Sequence, residues 1–313
     1  MEYPIVELNV VPKDLESLGT KEKFWFKYSP DPHAGAWMFK YSKGSTGEHW
    51  SEKCTSELCD LLQIPHASYD LAKVNGRYGV LTKNIIPHGY RMVMGNEVLH
   101  TRTADYPVPE PSHVAERVVR VREHTVSRVL GCLDREHIQP PETSFDIAGL
   151  NAGDVFCGYL MLDALVSNQD RHHENWAIML NNETQECFLC PTYDHAASLG
   201  RELPEAQYIE RLHTRDLNRA VPAFVAKARS ELFKLKTDTK RLLTLDAFLL
   251  ACDKRLHAKE HWLSRLEGVS DDDIANIFNR LPLECATLNA RAFATAVVIE
   301  NKKRLLQHVT LQK

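Results

Sequence analysis

No apolar run in this chain reaches the roughly 18–20 residues that a bilayer-spanning helix needs, so no transmembrane segment is expected. Positive charge is not in excess either. Lys and Arg number 38 against 42 Asp and Glu, a formal net charge of −4, which argues against direct nucleic-acid binding through a broad basic surface. Internal repeats and low-complexity linkers are absent. The opening Met1-Glu2-Tyr3-Pro4 lacks the basic stretch and apolar core of an export signal. The expected compartment is therefore the reducing cytoplasm, although the same features suit a protein injected as an effector. The eight cysteines form no dense framework, and Cys187-x-x-Cys190 has no second ligand pair at zinc spacing. They read as free thiols behaving as small buried hydrophobes.

What remains is ordinary in bulk and informative in order. At 313 residues, 43% hydrophobic and 26% charged, the chain suits one large globular domain or two modest ones. Phe24–Tyr28 and Trp37–Tyr41 are aromatic runs joined by a Pro/Gly-rich break, the pattern of a β-hairpin. Trp50–Leu62 has helical spacing, with Ser51 as its expected cap, and Tyr78–Thr82 reads as a further strand. After Pro87 the character changes. Val114, Val118, Val121, Thr125 and Val129 mark an amphipathic helix, and Val155–Val166 is apolar enough to be a helix buried on most sides. Beyond about Pro222 the chain is mostly helical, with the period clearest over 243–256, 272–279 and 290–308. The expected fold class is α+β: a small β-rich N-lobe over residues 1–86 and a larger, mostly helical C-lobe over 87–313.

The chemistry concentrates where the apolar helix gives way to Ser167-Asn168-Gln169-Asp170-Arg171-His172-His173-Glu174-Asn175-Trp176. Asp170 and Asn175 are five residues apart, the spacing of the protein-kinase catalytic loop, where the Asp orients the substrate hydroxyl and the Asn binds Mg²⁺. An expected hairpin, 177–180 and 187–189, then leads to Asp194, where a second metal-binding Asp belongs. Phosphoryl transfer from ATP concentrates negative charge, and Mg²⁺ held by hard oxygen ligands offsets it. A lysine from the other lobe should hold the phosphates. Lys40 is placed for this, with Glu52, or alternatively Glu57, to orient it.

Asn168-x-Asp170-x-His172-x-x-Asn175, together with Tyr193-Asp194-His195-Ala196, closely resembles the HipA-like serine/threonine kinases, whose fold is related to the phosphatidylinositol 3/4-kinases. The resemblance spans roughly residues 17–200. It implies a bilobed protein-kinase-like fold using ATP and Mg²⁺, with Asp170, His172 and Asn175 as catalytic-loop residues and Asn175 and Asp194 as metal ligands. It also implies a phosphate loop at Gly19 through Lys23, an ATP lysine at Lys40 and an adenine-contacting hinge at Thr82-Lys83-Asn84. Ser17 and Thr20, beside Gly19, are the implied autophosphorylation sites, and a protein substrate with an antitoxin or regulatory protein are the implied partners. Fewer than twenty residues precede Gly19, so the chain resembles a shortened, core-only member.

Other readings compete. Asp170 and Asn175 also suit a cap-and-turn cluster, Lys23 and Lys40 could be solvated strand lysines, and the Phe24–Tyr28 and Trp37 aromatics suit a core. His172 and His173, with Asp163, Asp194 and His195, would be the ligands of a metal-dependent phosphohydrolase, although adjacent residues on a regular element point apart. A lipid kinase and a nucleotide-binding pseudokinase complete the set.

Overall fold

The computed structural model describes residues 1–9, 22–27, 35–44, 46–103, 105–107, 121–135 and 137–309. Ser17, Gly19 and Thr20 lie outside the described residues, as do Val114 and Val118.

The two aromatic runs form the edge of a sheet. Strands β1 (Ile5–Leu8), β2 (Lys23–Phe26) and β3 (Trp37–Tyr41) precede helix α1 (Glu48–Leu62), which is followed by β4 (Asp70–Val74) and β5 (Arg77–Lys83). The order is β1-β4-β5-β3-β2, with β1 parallel to β4 and the other pairs antiparallel. Directly opposed residues share a face. The register Lys23–Lys40–Val80–Leu71 therefore defines one face, and Phe24–Phe39–Leu81 the other. On the second face Phe24, Phe39 and Tyr41 pack with Leu81 and Val74, with the Phe39 and Tyr41 rings edge-to-face at 4.7 Å. These aromatics are core.

Helix α1 does not begin at Ser51. Its N-cap is Gly47, where any Cβ would collide with the Trp50 indole. Ser51 lies inside the helix, fully buried, and its hydroxyl donates to the Ser198 carbonyl oxygen at 3.2 Å and lies 2.9 Å from the Ser198 hydroxyl. A tertiary partner thus takes the hydroxyl that capping would have used.

A second sheet, ordered β6-β8-β9-β7, is built from β6 (Tyr90–Met94), β7 (Ile138–Gln139), β8 (Ala177–Asn181) and β9 (Cys187–Leu189). Helices α2 (Gly95–Arg102) and α3 (Val126–Leu133) lie between β6 and β7, and α4 (Ala152–Val166) between β7 and β8. Thr125 is not inside a helix as its spacing suggested. It is the extended N-cap of α3, accepting from the Arg128 N–H, as its hydroxyl favours. The remaining helices are α5 (Glu205–His213), α6 (Val221–Val225), α7 (Thr244–Cys252), α8 (Leu256–Gly268), α9 (Asp271–Asn279) and α10 (Leu288–Leu306). The helix expected over 243–256 ends earlier, at Cys252, and Leu256 already opens α8, with Arg255 between them turned to Asp134 and Asp154.

Every residue of α4 is buried, and α7, α8 and α10 pack around it. Gly158 is required here, because a Cβ would enter the Trp262 ring. All eight cysteines are buried free thiols. No helix among the described residues is long and apolar enough to cross a membrane.

Candidate functional site

Lys40 stands near the end of β3, on the sheet face that looks toward α1. Its Nζ lies 2.7 Å from Asp194 Oδ1 and 3.9 Å from Glu52 Oε2. Burial alone would push the ammonium down, but Asp194, then Glu52 and Glu48, outweigh it and hold the group charged and raised above the ordinary lysine range. Glu52 is fully buried in α1, and its Oε1 accepts the His195 backbone N–H at 2.8 Å. One carboxylate therefore ties α1, the ammonium of β3 and the segment after β9 together. Glu57 is elsewhere, bonded to Lys53 at 2.7 Å and Arg280 at 3.2 Å, so Glu52 is the acid that faces Lys40.

Asp194 adopts left-handed backbone, with φ at +56°, which turns its carboxylate toward Lys40. The turn is held from both sides. Ala67 donates to the Thr192 carbonyl and Thr192 to the Pro65 carbonyl, both at 2.9 Å. The Thr192 hydroxyl lies 2.8 Å from His195 Nε2, and the Ser198 hydroxyl donates to the His195 carbonyl at 2.7 Å. Burial, then Arg171, keeps the His195 imidazole neutral, far below its usual range.

The 168–176 loop is built on a buried ion pair. Helix α4 ends at Ser167 in left-handed conformation, and Asn301 of α10 donates to both the Leu165 carbonyl and the Ser167 hydroxyl. Asp163, one turn back, accepts from Arg171 Nε and Nη2 and from Asn168 Nδ2, each at 2.8 Å. Arg171 spends Nη1 on the Asn175 carbonyl at 2.6 Å. The Asn168 Oδ1 accepts from the Asp170 N–H at 3.2 Å, and Asn175 Nδ2 donates to the Asp170 carbonyl at 2.6 Å. Asp170 and Asn175 are thus locked together, backbone to side chain. Gln169 donates to the Ala197 carbonyl and Tyr193 to the Glu174 carbonyl, so this loop and the Asp194 turn run side by side. The exposed fractions of the Asp170 and Asp194 side chains, 36% and 28%, leave both within reach of a ligand.

The remaining expected residues fall as follows. His172 accepts the Glu174 N–H at Nδ1 and places Nε2 3.9 Å from Asp170 Oδ1. His173 turns away, its ring at 87° to that of His172, to bond the Tyr106 hydroxyl at 2.7 Å. Asp163 is spent on Arg171, so the ligand set of the phosphohydrolase reading does not assemble. Lys23 sits directly opposite Lys40 at the sheet edge. Thr82 is buried on the same face as Lys40, Lys83 falls on the opposite face by alternation, and the Asn84 N–H donates to the Ala36 carbonyl. The residues missed by sequence reading are those that organise the loop and the Asp194 turn: Arg171, Thr192, Ser198, Asn301, and Tyr69, whose hydroxyl accepts the Asp194 N–H at 3.4 Å. Only Arg171 had a signal, the single charged residue, Asp163, in the apolar stretch Val155–Val166 eight residues earlier.

No protein-family model matches the chain, and no curated protein is detectably similar to it in sequence. Solved structures are similar in fold. The proinflammatory kinase CtkA of Helicobacter pylori superposes with a TM-score of 0.70 at 16% identity, over 97% of this chain and 96% of that one. HipA from the Shewanella oneidensis toxin–antitoxin complex of HipA, HipB and operator DNA superposes with a TM-score of 0.50 at 12% identity, over 98% of this chain and 67% of that one. The chain shares the fold of these two solved proteins.

Proposed function

We propose that this chain is a protein serine/threonine kinase that moves the γ-phosphoryl group of ATP to a hydroxyl of a protein substrate, with Mg²⁺ as its cofactor. The observation that carries the reading is the meeting of Lys40, from the first sheet, with Asp194, from the second half of the chain, at 2.7 Å beside the locked Asp170–Asn175 loop.

The donor set fits the cation. Asn175 gives its amide N–H to Asp170, which leaves Oδ1 as a hard oxygen donor, and Asp194 supplies a partly exposed carboxylate. When bound, Mg²⁺ would neutralise charge on the phosphates. Lys40, released from its direct contact with Asp194, would bond the phosphate oxygens, while Glu52 keeps its ammonium on that line. Asp170 would accept the proton of the acceptor hydroxyl. The new O–P bond forms on the acceptor as the bond from Pγ to the bridging oxygen breaks, and ADP leaves. Preorganisation by the Asp163–Arg171–Asn168 cluster keeps Asp170 from having to be ordered at the moment of transfer.

Asp170→Asn should keep nucleotide binding and lose transfer by at least about 100-fold, the scale of a positioned acid–base group. Binding is read by calorimetry and transfer by labelled ATP. Full transfer by the variant would overturn the role given to Asp170.

A further inference from the structure

Two cavities, of about 450 and 240 Å³, adjoin the 168–176 loop and share Gln169 and Phe224 in their linings, so they form one groove. Gln169, where the two cavities meet, immediately precedes Asp170, which brings their junction next to the proposed acceptor position. The rest runs over α5 and α6 and the turns beside them.

The groove's charges do not cancel. Arg219 is paired with Glu210, and Arg241 with Glu231. Arg201 is shared between Glu48 at 3.4 Å and Glu202 at 3.8 Å. Two cations are left. Arg211 pairs with no carboxylate among the described residues: one Nη donates to the Arg219 carbonyl at 3.2 Å, its guanidinium lies 5.1 Å from the Phe224 ring centroid, and its buried Nε–H has no hydrogen-bond partner among them. Lys227, exposed on the turn after α6, makes no ion pair among the described residues. A stacked guanidinium with an unused N–H and a free ammonium, over an apolar floor of Phe224 and Ala223, suit a carboxylate presented by a peptide. The carboxylates of Glu202, Glu210 and Glu231 in the same lining oppose a multiply charged phosphate cluster such as a lipid headgroup.

We infer that this groove receives the protein segment carrying the acceptor hydroxyl, and that Arg211 and Lys227 select an acidic residue near that hydroxyl. The inference rests on the kinase reading for its orientation, but binding can be tested apart from transfer. Fluorescent serine-centred peptides of equal length, flanked by Glu or by Lys, are titrated against the full chain by anisotropy. The wild type should bind the Glu peptide about tenfold more tightly than the Lys peptide. Arg211→Gln with Lys227→Glu should abolish that preference, and Arg211→Lys alone should keep most of it, with circular dichroism checking that each variant is folded. Equal binding of both peptides by the wild type, or an unchanged preference in the double variant, would overturn the inference. So would dependence on Arg211 and Lys227 of binding to phosphatidylinositol-phosphate vesicles without any acidic-peptide preference. Labelled ATP with the same peptides separates the two readings. Transfer without acidic preference refutes the groove alone. Acidic preference with no transfer to any protein or peptide refutes the kinase and leaves the groove as an acidic-segment site.

Discussion

Replacing Asp163 by Asn should unfold the candidate site from beneath. In the native protein Asp163 and Arg171 are both fully buried, joined by two 2.8 Å hydrogen bonds, and Asn168 adds a third to the same carboxylate. Burial pulls the Arg171 guanidinium down, and Asp163 outweighs it to hold the group raised above its ordinary value. Asn is nearly isosteric, so no cavity forms, but the guanidinium is left buried without a countercharge. Removing one partner of a buried pair costs about 3–5 kcal/mol. At about 2 °C per kcal/mol for a chain of this size, the midpoint should fall by roughly 6–10 °C. Calorimetry reads the midpoint, and labelled-ATP transfer reads the loop, which should lose activity at temperatures where the variant is still folded. Asp163→Leu combined with Arg171→Met removes both charges and should recover at least half of the stability without recovering transfer. A midpoint change below about 2 °C in Asp163→Asn would refute the reasoning, because it would mean that the charge at Arg171 is met by something other than Asp163.

Two further outcomes follow from named contacts. Glu52→Gln should lower transfer more than tenfold by removing the buried negative charge near Lys40, whereas Glu57→Gln, which weakens the ion pairs to Lys53 and Arg280, should change stability by less than about 1 kcal/mol and activity by less than twofold; steady-state kinetics with both variants reads the contrast. His49 supplies a pH test: burial, only partly offset by Glu48, lowers its imidazole to about 4. The unfolded chain, with an ordinary histidine near 6.5, then binds more protons between pH 4 and 6.5, so this contribution is complete above about pH 6.5 and is lost as pH falls toward 4. Between pH 7.5 and 5 the stability advantage of the wild type over His49→Gln should shrink by about 2 kcal/mol in urea titrations, and a constant gap would count against a buried neutral ring.

The candidate site was legible in the chain to the extent that it consists of spaced local motifs. Asp170 and Asn175 are bonded across five residues, and such a loop carries its own geometry in its spacing. Lys40 was legible because strand alternation separates it from Phe39. What failed to show was anything whose partner lies far along the chain. Ser51 read as a cap because hydroxyls cap helices, but it meets Ser198 instead, 147 residues away. Thr125 read as helix interior because its spacing matched, but the backbone is extended there and bridges Phe233. Glu52 and Glu57 were indistinguishable because both lie on α1, and only the position of β3 decided between them.

The sequence by itself determined the order of the elements and the buried α4 that feeds the polar loop, and it singled out the candidate groups of the site. These depend on composition, period and short spacing, all of which are local. The tertiary structure alone decided which carboxylate faces Lys40, how Asp163 and Arg171 hold the loop, and that Arg211 and Lys227 line a cavity with Gln169 while making no ion pair among the described residues. Those facts depend on which distant charges meet and cancel, and no local pattern encodes a cancellation made across the fold.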